Sequence, residues 1–174
     1  VVNSKQDFDS IDQFLWAAMR FAAQYNGGPV FEPGAYLTDW YTEQAVQVID
    51  ANRDRPFFLY LAHWAPHTPL QATREDYEAL SHIENHRERV YAAMIRSLDR
   101  GVGQVLRALE RNGLDENTLV LFTSDNGGAG YIGLPDVNPC AMCTRLLLVW
   151  KGESGFLELT VDGWWSRGPS TDAE

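Results

Sequence analysis

The stretch LVLFTSDNGGAG, residues 119–130, ends an apolar run in Asp125 and Asn126 and passes directly into a glycine cluster. A carboxylate beside an amide carbonyl offers hard oxygen donors suited to calcium or magnesium, and glycines let the backbone approach a ligand closely. The same composition also builds ordinary turns, in which Asp and Asn satisfy local backbone groups, so residue chemistry alone leaves metal site and turn both open. A second candidate is HWAPHTPLQA, residues 63–72, where His67 sits between two prolines. A histidine so placed works as an acid, a base or an anion contact, or it only hydrogen-bonds a carbonyl. His63 has a weaker claim. His82 and His86, in SHIENHRER, read as solvated, as do Arg87 and Arg89. Cys140 and Cys143 form a lone CAMC; with no second pair to complete a zinc site and no strand-to-helix context, they read as incidental thiols.

The elements around these residues follow from periodicity. Phe57–Ala62, FFLYLA, is a continuous apolar run after the turn at Arg55-Pro56 and reads as a buried strand. Residues 119–122, LVLF, read the same way. Between them, residues 84–112 carry Val90, Met94, Leu98, Val102, Val105 and Leu109 at spacings of three and four, which predicts a long amphipathic helix ending at Asn112-Gly113. Strand, helix and strand outline a right-handed crossover between parallel strands, and hence an α/β sheet with ligands beyond the carboxyl ends of its strands. Parallel pairing brings His63 and His67 to the same edge as Asp125 and Asn126. A further helix is predicted from Thr38 or Asp39 to near Asn52, capped by a hydroxyl or carboxylate, with Ala45, Val48 and Ile49 inward. Another is predicted over residues 11–24, with Ile11, Leu15, Ala18 and Ala22 on one face, before the turn-rich YNGGPVFEPGAY.

Composition narrows the function classes. With 174 residues, 45% of them hydrophobic and 22% charged, the chain suits one domain with its own core. A net charge of -10 opposes nucleic acid and anionic membrane as partners, although a local basic pocket still holds an anion. No apolar stretch approaches the length of a bilayer span. The opening VVNSKQDFDSID has neither an initiator Met nor the basic and apolar regions of a signal peptide, so the chain is expected to begin within a longer protein.

PFFLYLAHWAPHTPLQA, VYAAMIRSLDRGVGQVLRALERNGL and DENTLVLFTSDNGGAGYIGLPDVN, in this order and spacing, resemble the sulfatase family, most closely its bacterial arylsulfatases within the alkaline-phosphatase-like group. The resemblance runs from about Tyr36 to Asn138, with residues 1–35 belonging to it, and implies part of a mixed α/β sheet flanked by helices. It also implies sulfuric ester hydrolysis by a formylglycine nucleophile, made from the cysteine of a C-x-P-S-R motif, with a divalent cation, usually calcium, holding a sulfate oxygen. On this resemblance Asp125 and Asn126 are metal ligands, and His67 of the A-P-H-x-P motif contacts the sulfate or assists the leaving group. The substrate is then a small-molecule or glycan sulfate ester, and the parent protein is expected to be periplasmic or secreted. Two other readings remain in view: a phosphoesterase or phosphotransferase of the alkaline-phosphatase-like group, and a non-catalytic α/β interaction module.

Several of the family's parts are missing from these residues. The N-terminal metal-binding aspartates, C-x-P-S-R, the Lys-x-His pair and the later E-G-G-x-R-V-P stretch do not occur in them. Residues 1–138 are therefore expected to be a fragment of a sulfatase catalytic domain, inactive alone, and residues 139–174 a tail outside the family pattern. One permitted back-translation of residues 148–157, read from its third base, spells Gly-Val-Glu-Arg-Gly-Ile-Arg-Val-Pro, close to the missing stretch. The tail is thus expected to be out of frame, and unselected for packing. Sequencing the coding DNA checks this: the shifted frame should spell that motif, and bases that spell it in no frame contradict the expectation.

Overall fold

Phe57–Ala62 forms a strand, as its strand-forming residues predict, and so does Leu119–Ser124. A computed structural model describes residues 2–3, 22–124 and 145–151 of the chain. In chain order the strands are β1 (Val2–Asn3), β2 (Ala23–Gln24), β3 (Val30–Phe31), β4 (Phe57–Ala62), β5 (Gln71–Ala72), β6 (Leu119–Ser124) and β7 (Arg145–Lys151). The helices are α1 (Leu37–Ala51), α2 (Arg74–Glu78) and α3 (His86–Arg111).

The expected α/β architecture is present, with one change in the sheet. β4 and β6 run parallel to each other, but β7 lies between them and pairs antiparallel with both, in the order β4-β7-β6. The register puts Leu146 opposite both Ala62 and Thr123, so the carboxyl ends of β4 and β6 lie level at one edge. Two inter-strand spacings of about 4.8 Å separate those ends. β7 comes from the segment expected to be an unpacked tail; RLLLVWK is rich in strand formers, and its backbone groups complete the ladders of both neighbours.

The long helix positions everything else. Asn85 caps α3 by accepting a hydrogen bond from Glu88 N at 3.1 Å. At its other end Gly113, at φ 63°, closes a Schellman turn: its N–H donates to Glu110 O, and Leu114 N donates to Leu109 O, each at 2.9 Å. The stripe predicted for α3 is buried at Val90, Met94, Leu98, Val105 and Leu109. Its C-terminal half packs with Ala45, Ile49 and Leu61, its N-terminal half with Ala65, Leu70 and Ala72. α1 crosses α3 so closely that a side chain on Gly101 would collide with Thr42 Oγ1.

Other expectations need correction. α1 begins at Leu37, one residue early, and Tyr36 at its N-cap makes no side-chain cap. Val48 is 40% exposed, on the shoulder of the stripe that Ala45 and Ile49 bury. Of the helix predicted over residues 11–24, residues 11–21 lie outside the described residues, while Ala23–Gln24 is a strand. It pairs with β3 around a turn in which Asn26 and Gly27 both take positive φ, 46° and 74°. The expectation of two buried strands is not met: in β4 only Leu61 is buried, with Phe58 and Tyr60 58% and 61% exposed, and in β6 no residue is buried, with Leu119 and Phe122 44% and 51% exposed. Of the four residues of SHIENHRER expected to be solvated, His82, His86, Arg87 and Arg89, His82 alone is exposed. Arg87 is buried, His86 bonds the Tyr77 hydroxyl at 2.8 Å, and the Arg89 guanidinium lies 3.9 Å from the centre of the Tyr77 ring.

Asp76 ties the three helices together. It is fully buried, accepts from Thr73 Oγ1 at 2.7 Å and pairs with Arg100 and, at 3.4 Å, Arg96; Arg100 also donates to Asp39 Oδ1 at 2.9 Å. The Asp76 carboxylate, foremost, raises the pKa of the Arg100 guanidinium. Removing the guanidinium leaves the buried carboxylate, among the described residues, with only the longer Arg96 pair and the Thr73 hydroxyl, and since water still reaches Arg100, R100M should cost about 2–3 kcal/mol, at or below the low end for a broken buried pair. Urea unfolding monitored by circular dichroism measures that loss.

Candidate active site

The carboxyl end of β4 feeds straight into the histidine loop. Ala65 and Leu70 are buried against α3 and Thr68 is buried as well, which anchors the loop on the core and leaves Trp64 and His67 nearer the surface. The Ala65–Pro66 and Thr68–Pro69 peptide bonds are cis. A turn closes between them, with His67 N donating to Trp64 O at 2.9 Å.

His67 is oriented by the Thr68 carbonyl, 2.7 Å from its Nδ1. A carbonyl only accepts, so Nδ1 carries the proton in this contact, and among the described residues Nε2 is left to act on a ligand. Trp64 Nε1 donates to the same carbonyl at 3.3 Å, and the indole and imidazole centroids lie 5.2 Å apart at 61°. The carbonyl thus holds both rings. A half-buried imidazole so held can accept a proton at Nε2 when neutral, or give one to an anion or leaving group when charged.

His63, given the weaker claim, has the more unusual surroundings. It is 1% exposed, neither ring nitrogen has a hydrogen-bond partner among the described residues, and the Tyr41 ring stands edge-on to it at 6.4 Å. Burial pushes its pKa down to about 4, so the ring is neutral in the folded chain at neutral pH. The sequence carried a signal for this, a histidine placed directly after an apolar strand.

Asp125 and Asn126 lie outside the described residues, as do Cys140 and Cys143. The described neighbour of Asp125 is Ser124, at the same sheet edge as Ala62. The structure therefore brings the two strand ends together. Among the described residues, no three His, Cys, Asp or Glu side chains cluster as a metal site, and no helix is long and apolar enough to cross a membrane.

Comparison with known proteins adds a second line of observation. Residues 2–139 match the family described as Sulfatase. The chain is 32% identical over 161 residues to the uncharacterized sulfatase YdeN of Escherichia coli (strain K12), a match covering 82% of this chain and 29% of that protein. It is 40% identical over 105 residues to arylsulfatase J of Mus musculus, covering 59% of this chain and 17% of that one. Among solved structures, the crystal structure of Ps i-CgsB matches with a TM-score of 0.60 and 35% identity, over 75% of this chain and 31% of that chain. The same match holds for Ps i-CgsB in complex with k-i-k-neocarrahexaose. The chain thus spans less than a third of the length of these relatives.

His63 makes the fold pH-sensitive in a defined window. Unfolded, it titrates near 6.5; folded, near 4. Between those values the unfolded state binds more protons, so this contribution to stability falls as pH drops from 6.5 to 4 and is flat outside that range. A shift of this size corresponds to about 3 kcal/mol. Urea unfolding of wild type and H63L from pH 4 to 7 should show the variant gaining on wild type by that order as pH falls.

Proposed function

This chain belongs to the sulfatase family, and we propose that it is a segment of a sulfuric ester hydrolase whose substrate is a sulfated carbohydrate. The observation that carries this reading is the level placement of the carboxyl ends of β4 and β6, one followed by the His67 loop, the other directly by Asp125 and Asn126. The likeness to Ps i-CgsB, crystallised with an oligosaccharide, and to the N-acetylgalactosamine-6-sulfatase of Mus musculus, 38% identical over 97 residues, supports a glycan ester.

In this reading Asp125 and Asn126 hold the cation. A carboxylate and a carboxamide oxygen fit calcium in kind, being hard donors. When bound, the cation supplies positive charge to a sulfate oxygen. His67 meets the same group from the other strand end: Thr68 O holds Nδ1–H, and Nε2 donates to a sulfate oxygen or hands its proton to the departing alcohol oxygen. Arg96 and Arg100 are engaged by Asp76 and Asp39, so among the described basic groups they do not serve the ester.

The nucleophile belongs to sequence outside these 174 residues, since no C-x-P-S-R occurs in them. The chain alone is therefore expected to bind but not to turn over ester. Calorimetric titration with calcium chloride should give weak binding, with Kd on the order of 10⁻⁴–10⁻³ M or weaker for a partial ligand set. The double variant D125A/N126A should abolish it, and 4-nitrophenyl sulfate should not be hydrolysed. Calcium binding that survives the double variant contradicts the assignment.

A further inference from the structure

Behind the His67 loop lies a cavity of about 420 Å³, between the segment that leads into α1 and the loop that follows β4. That volume is within the range of small-molecule sites, roughly 300–1,000 Å³. Trp64, Tyr36, Thr38, Gln71, Met94 and Glu32 are among the residues that line it. Trp64 is 38% exposed. Its indole donates through Nε1 to Thr68 O, and its backbone carbonyl closes the turn with His67 N. The Tyr36 hydroxyl is already committed to Gln71 O at 2.7 Å, and Gln71 N points at Met94 Sδ at 3.3 Å, so this wall is held in place.

The lining chemistry selects a kind of ligand. Among the described residues that line it, Glu32 is the one that is charged, and it is acidic. An anionic group is therefore disfavoured inside, while a ring with an apolar face and hydroxyl edges finds an indole to stack on and polar groups to bond. The same indole that borders the cavity has its centroid 5.2 Å from that of the His67 ring. Trp64 thus borders both the cavity and the His67 ring.

We propose that this cavity is the subsite for the uncharged part of the sugar ring that bears the sulfate, with Trp64 as its stacking platform and Glu32 as a hydroxyl acceptor. The proposal rests on the reading of His67 as the sulfate contact. Trp64 is then a specificity-determining residue, favouring carbohydrate esters over esters that offer no ring with hydroxyl edges. No bond is made or broken at this subsite.

Titration of the whole chain followed by calorimetry or NMR tests it, with three probes: a neocarrahexaose, the same oligosaccharide desulfated, and 4-nitrophenyl sulfate. Both oligosaccharides should bind, the sulfated one more tightly than the nitrophenyl ester. W64A should weaken both oligosaccharides by about tenfold or more, whereas W64F, which keeps an aromatic face, should stay within about threefold. Unchanged far-UV circular dichroism of both variants keeps loss of binding separate from loss of fold. H67A should weaken only the sulfated probes. Desulfated oligosaccharide that binds through Trp64 while H67A changes nothing upholds the subsite and removes the sulfate role of His67. Sulfated oligosaccharide that depends on His67 but not on Trp64, or no binding by any probe, overturns the subsite.

Discussion

Burial of one apolar stripe along the whole of α3 is the constraint on which the rest of the described structure depends. The helix has 26 residues and spans about 39 Å at 1.5 Å per residue, so its two halves serve different neighbours. Val105 and Leu109 cover Ile49 of α1 and Leu61 of β4; Val90 and Met94 cover Ala65, Leu70 and Ala72 in and after the histidine loop. Each large aliphatic group so buried contributes about 1.5–3 kcal/mol, more than a local turn preference can oppose. Once the stripe is covered, the helix returns the chain to the start of β6. That return makes β6 parallel to β4 and brings their carboxyl ends to one edge.

Electrostatics then divide the polar groups into structural and available ones. The chain carries a net charge of -10, and much of its basic side-chain charge is already matched locally. Asp76 holds Arg96 and Arg100 at the junction of α2 and α3, and Asp50 holds Arg111 and Asn112 where α3 ends beside α1. The Asn112 amide and the Arg111 guanidinium keep the pKa of Asp50 below its usual value. An anionic ester is therefore not drawn by the general surface. In the proposed reading it needs a local charge, which a cation at the end of β6 would provide. The two loop histidines differ accordingly: His63 is sealed and neutral, while His67 is half-buried and, among the described residues, held through Nδ1.

Much of this was legible in the sequence because it is local. The α3 stripe, its stop at Asn112-Gly113, the extended runs of β4 and β6 and the loop with two prolines all follow from spacing or turn chemistry; burial matches along α3 but not in the two strands, whose Phe58, Tyr60, Leu119 and Phe122 are exposed. What escaped depends on partners distant in sequence. Nothing in RLLLVWK states that it will insert between β4 and β6, because strand order is set by pairing. Arg87 and His86 sit in a charged run, yet the fold turns one inward and gives the other Tyr77. The orphaned nitrogens of His63 and the cavity beside Trp64 also appear only when separate segments close over them. Asp125 and Asn126 were legible as oxygen donors, and their proposed role as ligands comes from the resemblance of their motif to the sulfatase family.

The central claim is that a cation binds at the edge where β4 and β6 end. Manganese suits the same oxygen donors as calcium and broadens nearby NMR signals, so it reports position as well as binding. Substoichiometric manganese added to ¹⁵N-labelled chain should first broaden the amides of Ser124 and of the loop from Ala62 to Thr68. Phe57 and Leu119, at the opposite edge, should broaden last. Broadening centred instead on that opposite edge, beside Asp115 and Glu116, would contradict the account.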